Sequence, residues 1–206
     1  YESPFVVKTV GDKPATGYGL VIAMHGGGGA PKRVNDQQWG VMQRYYKDHP
    51  EASAYRYCAL RAPTDEWNGF YTGYAYPLVE RLIRQFAICE GIDTDKVIVM
   101  GYSHGGYGAF AIAPMLADRF AAAHSSAAAP TDGVTSALNL RNLHFTFMVG
   151  EKDTAHGRRE RCERFAAKLA ELRGERTDVF PGGFLYQPGF GHGGLPDRDI
   201  LKDLLP

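Results

Sequence analysis

Val97-Ile98-Val99-Met100-Gly101-Tyr102-Ser103-His104-Gly105-Gly106 is an apolar run that turns through a serine flanked by glycines. A G-x-S-x-G pattern between a buried strand and a helix makes a sharp elbow. The strand delivers Ser103 to the rim of a sheet, and Gly101 and Gly105 leave room for the turn that exposes its hydroxyl. The pattern alone is weak, because a chain with 25 Gly among 206 residues produces it by chance roughly once in ten. Its surroundings decide the reading. A β-branched run precedes it, and Tyr107-Gly108-Ala109-Phe110-Ala111-Ile112-Ala113 follows, with the small residues that suit a helix packed closely on a sheet.

Working outward from this elbow, apolar strand-like runs alternate with longer helical patterns, which predicts an α/β fold built on a mostly parallel sheet with helices on both faces. The predicted strands are 4–10, 18–25, 55–61, 96–102, 120–126, 143–149 and 178–186. Helical patterns fall near 33–48, 74–90, 104–117, 156–173 and 197–204. In the segment 156–173, Cys162, Phe165, Ala166, Leu169 and Leu172 share one face, with Arg, Glu and Lys opposite. Pro114 should kink or end the helix after the elbow. No repeat, low-complexity stretch or linker divides the chain, so 1–206 reads as a single domain.

Composition narrows the function classes. The 23 basic and 23 acidic residues cancel and are spread along the chain, which predicts no nucleic-acid surface. No apolar stretch approaches the ~20 residues that span a bilayer, so no membrane partner is expected. No signal peptide is legible, although a trimmed chain beginning at Tyr1 would read the same. Cys58, Cys89 and Cys162 are odd in number and widely spaced, with neither a disulfide framework nor a zinc pattern. They leave the compartment open, with a secreted or periplasmic one slightly favoured over the cytoplasm.

A serine hydroxyl needs a base to take its proton, and the base needs a third group to fix its tautomer. Both partners stand downstream, in the order Ser, Asp, His. Leu143-His144-Phe145-Thr146-Phe147-Met148-Val149 ends in Gly150-Glu151-Lys152-Asp153, which puts Asp153 just past a strand's carboxyl end. His192 follows the last strand in the glycine-rich run Gly189-Phe190-Gly191-His192-Gly193-Gly194. In an open α/β sheet the loops at the carboxyl ends of strands converge on one crevice. A fourth loop, His25-Gly26-Gly27-Gly28-Gly29, presents bare backbone N–H groups. The oxyanion donors are assigned to the N–H of His104 and to that of Gly27 or Gly28. Cofactors and metal ions have no evident place, since no histidine shows ligand spacing with a partner.

Each assignment has a plainer competitor. Asp153 could cap the following helix, and Glu151 or Asp132 could take its part. His156 is the histidine nearest to Asp153 in sequence and is the rival base. His25 is read as a brace for the glycine loop, while the His104 ring lines the pocket or faces solvent. His49, His124 and His144 are read as structural, and Asp93 and Asp95 as turn residues. Trp67, Phe70, Tyr71 and Tyr74 crowd the segment after the third strand. They form either a wall for an aromatic or sugar-borne ester, with Trp67, Phe70 and Tyr71 in contact, or the packing of the next helix.

With these residues in view, the chain resembles the α/β-hydrolase superfamily over nearly its whole length, from His25-Gly26-Gly27 through Gly101-Tyr102-Ser103-His104-Gly105 to Gly191-His192-Gly193. Arg61-Ala62-Pro63 through Trp67, Ile92 through Val97, and Met115 through Ala123 look most like small bacterial esterases of the feruloyl-esterase, acetylxylan-esterase and polyhydroxybutyrate-depolymerase type. That resemblance implies hydrolysis of small acyl, aryl or carbohydrate-linked esters. Two departures stand out. The usual antiparallel first strand is expected to be missing or trimmed, and the short stretch between 120–126 and 143–149 leaves no room for a large cap. The rival functions are a peptidase of the prolyl-oligopeptidase kind and a catalytically silent binding module. Oligomeric state is left open.

Overall fold

The computed structural model describes residues 2–205. Seven strands form one sheet: β1 (Phe5–Val10), β2 (Tyr18–Met24), β3 (Tyr55–Leu60), β4 (Ile92–Tyr102), β5 (Ala122–Ser126), β6 (His144–Gly150) and β7 (Gly182–Gln187), in the order β1-β3-β2-β4-β5-β6-β7. Every pair is parallel except β1–β3, in which Phe5 faces Leu60 and Val10 faces Tyr55 in antiparallel register. This corrects the expectation that an antiparallel first strand is missing. The six residues read as a strand, but direction is set by the partner, which local pattern cannot specify. β4 also begins earlier than its apolar run, so Asp93 and Asp95 lie on its first residues rather than in a turn.

The sheet is covered on both faces, which is why its central strands are apolar throughout rather than alternating. Along β2, Leu20, Ile22 and Met24 point to one face and Val21 and Ala23 to the other. The first face packs against α2 (Ala75–Cys89), α3 (His104–Met115) and α4 (Arg158–Arg173). The second packs against α1 (Lys32–Met42), Tyr46 and the short α5 (Leu201–Leu204). α3 ends one residue beyond Pro114, as the ring requires. Between β5 and β6 there is only a loop with a 3-10 turn at Leu138–Leu140, so this connection inserts no large cap. No helix among the described residues is long and apolar enough to cross a membrane.

Parallel register brings the carboxyl ends of the strands level. Met24 lies beside Gly101, Tyr102 beside Ser126, Ser126 beside Met148, and Gly150 beside Gln187. The four glycine-bearing loops named above therefore leave the sheet along one rim.

The glycines of α3 let it dock at close range. A Cβ on Gly105 would lie 2.1 Å from the Met24 carbonyl oxygen, which belongs to a strand that cannot retreat. Gly105→Ala should therefore cost roughly 2–3 kcal/mol, lowering Tm by about 5–10 °C. Gly40→Ala, on an open face of α1 with nothing within 4 Å, should raise stability by about 0.5–1 kcal/mol through helix propensity. Thermal denaturation of the two variants checks both signs.

Candidate active site

Ser103 sits between β4 and α3 with φ 54° and ψ −113°, a left-handed backbone that costs a non-glycine residue on the order of 1–3 kcal/mol. The surroundings hold it there. Its N–H donates to the Ser126 carbonyl at 2.8 Å, the Gly105 N–H donates to the His25 carbonyl at 2.8 Å, and the Tyr107 N–H donates to the Ser103 carbonyl at 3.0 Å. A side chain on Gly101 would run into the Gly105 backbone at 2.3 Å, so the tight elbow demands both glycines.

Three loops bring Ser103, His192 and Asp153 together. His192 Nε2 lies 3.0 Å from Ser103 Oγ, and His192 Nδ1 lies 2.8 Å from Asp153 Oδ2. A carboxylate only accepts, so Nδ1 carries the proton and Nε2 is left to accept from the hydroxyl. Asp153 is buried while the His192 ring stands at the mouth. Burial pushes the Asp153 carboxyl up, but hydrogen bonds and charge from His192 and Arg158 outweigh that and hold it below the ordinary value. The alternatives fall elsewhere. α4 starts at a left-handed Gly157 with no side-chain cap, so Asp153 does not cap it. Glu151 Oε2 accepts the Gly189 N–H at 2.7 Å, and Asp132 is exposed in the loop after β5. His156 is also exposed, with its ring 5.5 Å from that of Trp67.

The glycine loop is fixed from two sides. His25 is buried, with Nδ1 at 2.5 Å from the Gly26 carbonyl, and its Nε2 accepts the Ala62 N–H at 3.0 Å. It braces the loop as a neutral ring, its pKa lowered to about 4 first by burial. Gly27, Gly28 and Gly29 all have positive φ. The Gly28 N–H donates to Asn35 Oδ1 at 2.8 Å and the Gly29 N–H to the Asp65 carbonyl at 2.8 Å. Of the two glycines assigned as donors, Gly28 is thus engaged with α1, while the Gly27 N–H has no acceptor among the described residues. The His104 N–H lies at the first residue of α3, where no earlier turn can receive it.

The aromatic residues part company. Phe70 is 1% exposed and packs on the rings of His25 and His104 at 5.1 and 4.9 Å, so it supports the site from below and cannot meet a substrate. Trp67 is 41% exposed and stands beside Gly29 and the His104 ring. Tyr71 is half-buried against the core of α2 and α3. The His104 ring neither lines an open pocket nor meets solvent. It is buried, and its pKa falls to about 3, mainly through burial and then through repulsion from His25. Sequence reading also missed Arg158, whose Nε and Nη2 reach Asp153 Oδ1 at 2.8 and 2.6 Å, and Tyr102, whose hydroxyl donates to the His192 carbonyl at 2.5 Å. Among the described residues, no group of three or more His, Cys, Asp or Glu side chains could hold a metal ion. All three cysteines are free thiols.

Several solved structures of the same architecture are esterases by title, and one, from Bacteroides ovatus, is titled a putative dipeptidyl aminopeptidase IV. A thermostable esterase matches 99% of this chain with a TM-score of 0.69 and 19% identity, and this chain spans 56% of its length. The carboxylesterase of Bacillus cereus gives a TM-score of 0.66 at 15% identity, covering 98% of this chain and 92% of its own. An acetyl xylan esterase from Aspergillus awamori gives 0.61 at 14% identity, covering 92% and 89%. No family model matches the chain, and no curated protein matches its sequence. At such identities the likeness is one of architecture: the chain has the α/β-hydrolase fold.

The buried histidines make acid stability a sharp test. His25, His104 and His124 have pKa values lowered by burial to about 4, 3 and 3, against an unfolded value of 6.5. Their contribution is complete above pH 6.5 and is lost as pH falls toward those values, because the unfolded chain then binds protons that the folded chain refuses. Asp197, raised first by burial, offsets part of this at the acid end. Unfolding between pH 6 and 4.5 should take up roughly two to three protons, or about 3–4 kcal/mol per pH unit. Calorimetry against pH measures it, and a flat Tm over this range would contradict the burial argument.

Proposed function

We propose that this chain is a serine ester hydrolase working through an acyl-enzyme. Ser103 Oγ adds to the ester carbonyl while His192 Nε2 takes its proton. The resulting oxyanion accepts hydrogen bonds from the N–H groups of His104 and Gly27, each donor being worth ~10²–10³ in rate. Collapse expels the alcohol, which receives the proton from His192. Water then repeats the sequence and releases the acid. Asp153 keeps the proton on His192 Nδ1 and stabilises the imidazolium. No step calls for a cofactor.

The observation that carries this reading is the unbroken hydrogen-bonded path from Ser103 Oγ through His192 to the buried Asp153, at 3.0 and 2.8 Å. The strained Ser103 backbone supports it, since strain of this kind gathers where a side chain must be presented. Esterase titles among the structural neighbours support an ester substrate. The exposed Trp67 beside the glycine loop suits small acyl, aryl or carbohydrate-linked esters, and the short β5–β6 loop suits an open mouth.

Ser103→Ala should fold normally and lose on the order of 10⁶ in kcat on p-nitrophenyl acetate. A mutant rate within tenfold of wild type would remove Ser103 from the reaction. Faster turnover of a peptide p-nitroanilide than of the ester would favour a peptidase, and absence of both activities a silent binding module. Asp153→Asn should cost roughly 10⁴, whereas Glu151→Gln should fall far short of that. His156→Ala should leave turnover nearly intact and His192→Ala should not. A reversal in either pair would reassign the third member or the base.

A further inference from the structure

The Asp153 carboxylate has two partners of opposite consequence, His192 on Oδ2 and Arg158 on Oδ1. We propose that Arg158 is a positioning residue that turns the carboxylate toward His192 and, through its charge, weakens the hold of that carboxylate on a protonated imidazole. The inference rests on the acyl-enzyme reading and adds to it a control on the pH range in which the base works.

The geometry comes first. Both donors of one guanidinium edge fall on the same oxygen, so the carboxylate cannot swing without breaking two bonds, and its free oxygen faces His192. Arg158 is the first residue of α4 and reaches back five positions to Asp153. The return depends on two left-handed residues in a row, His156 at φ 57° and Gly157 at φ 63°. A histidine held there costs on the order of 1–2 kcal/mol. The backbone closes the same loop, with the Arg159 N–H on the Asp153 carbonyl at 3.2 Å.

The charge follows from burial. Side chains of Asp153 and Arg158 are 1% and 7% exposed, so water screens them poorly. In the resting site Asp153 and Arg158 cancel. When His192 takes a proton from solvent, the Asp153–Arg158–His192 cluster carries one net positive charge, where a carboxylate and imidazolium alone would form a neutral pair. Arg158 therefore repels the charged imidazole across the carboxylate they share. Other polar groups nearby are differently engaged. On the β6–α4 loop, Glu151 accepts from Gly189, and Arg159 is paired with Glu160. On β4, Tyr102 donates to the His192 carbonyl. On α3, the Tyr107 hydroxyl stands beside Arg158, and on the last segment Asp197 accepts from Tyr45. Among the described residues, Arg158 is the one cation in contact with the Asp153 carboxylate.

The test compares wild type with Arg158→Met, Arg158→Gln and Arg158→Lys by two readouts. One is the pH profile of kcat/KM on p-nitrophenyl acetate. The other is the NMR titration of the His192 ring, which needs no turnover. Met and Gln should move the acid limb and the ring titration upward by about one pH unit. Lys keeps the charge but loses one of the two bonds, so it should leave both midpoints within about 0.3 unit of wild type while lowering kcat severalfold. Should Met fail to fold with an unpaired buried carboxylate, Gln carries the comparison. Unmoved midpoints in a folded, ester-cleaving Gln variant would overturn the role of Arg158 alone. A ring titration that shifts in a protein cleaving no ester would instead overturn the acyl-enzyme reading and leave the charge effect standing.

Discussion

The structure depends on one strained residue. Ser103 must turn the chain from β4 into α3 within a single left-handed step, and no local preference favours that. It is held by a carbonyl from β5, a carbonyl from the loop after β2, and the absence of side chains at its own flanking Gly101 and Gly105. The elbow is thus a joint product of the assembled core and of its two glycines. This explains why α3 is buried almost along its whole length. A helix that must start at a fixed point beside β2 and β5 has to be narrow, and Gly106 and Gly108 keep it so against Ser126 and Phe70.

A second layer of order lies in the buried polar groups behind the rim. His124 on β5 bridges Thr146 Oγ1 and Ser126 Oγ at 2.8 Å each, tying β6 to the residue whose carbonyl holds Ser103. His25 does the same for the glycine loop and Ala62, and Asn35 joins that loop to α1. Each is neutral and hydrogen-bonded rather than charged, which is the inexpensive way to bury polar groups. Much of the rim's rigidity comes from such uncharged bridges, with the buried Arg61 adding charged ones to Asp36 and Asp65. A second charged pair, Asp153 with Arg158, lies at the point where charge changes during the proposed reaction.

Much of this arrangement is legible in the residues. Ser103, Asp153 and His192 each follow an apolar run and stand among turn-forming residues, so the parallel α/β pattern alone sends them to a common rim. What escaped has a shared cause. Arg158 reads as a solvated helix charge until the His156–Gly157 turn folds it back. Asn35 reads as an ordinary polar residue on α1 until Gly28 is seen to donate to it. Phe70 and Trp67 are three residues apart in one aromatic segment, yet one is sealed under His104 and the other open to solvent. The antiparallel course of β1 depends on its pairing with β3. All are relations across loops, and local pattern carries no information about them.

The loops after β6 and β7 are sewn together by backbone bonds, from Glu151 to Gln187 at 2.9 Å and from Lys152 to Phe190 at 2.8 Å. The turn Thr131–Thr135, in the connection after β5, is closed by its own bonds: Val134 and Thr135 donate to the Thr131 carbonyl, and Thr135 Oγ1 receives the Thr131 N–H. A Cβ at its exposed tip, Gly133, would meet nothing within 4 Å. Chain length can therefore be added at this tip, on the same rim as Ser103, without disturbing a bond in the loops that bear Asp153 and His192. An insertion there would give such a scaffold a roof and retune it for bulkier or more apolar guests.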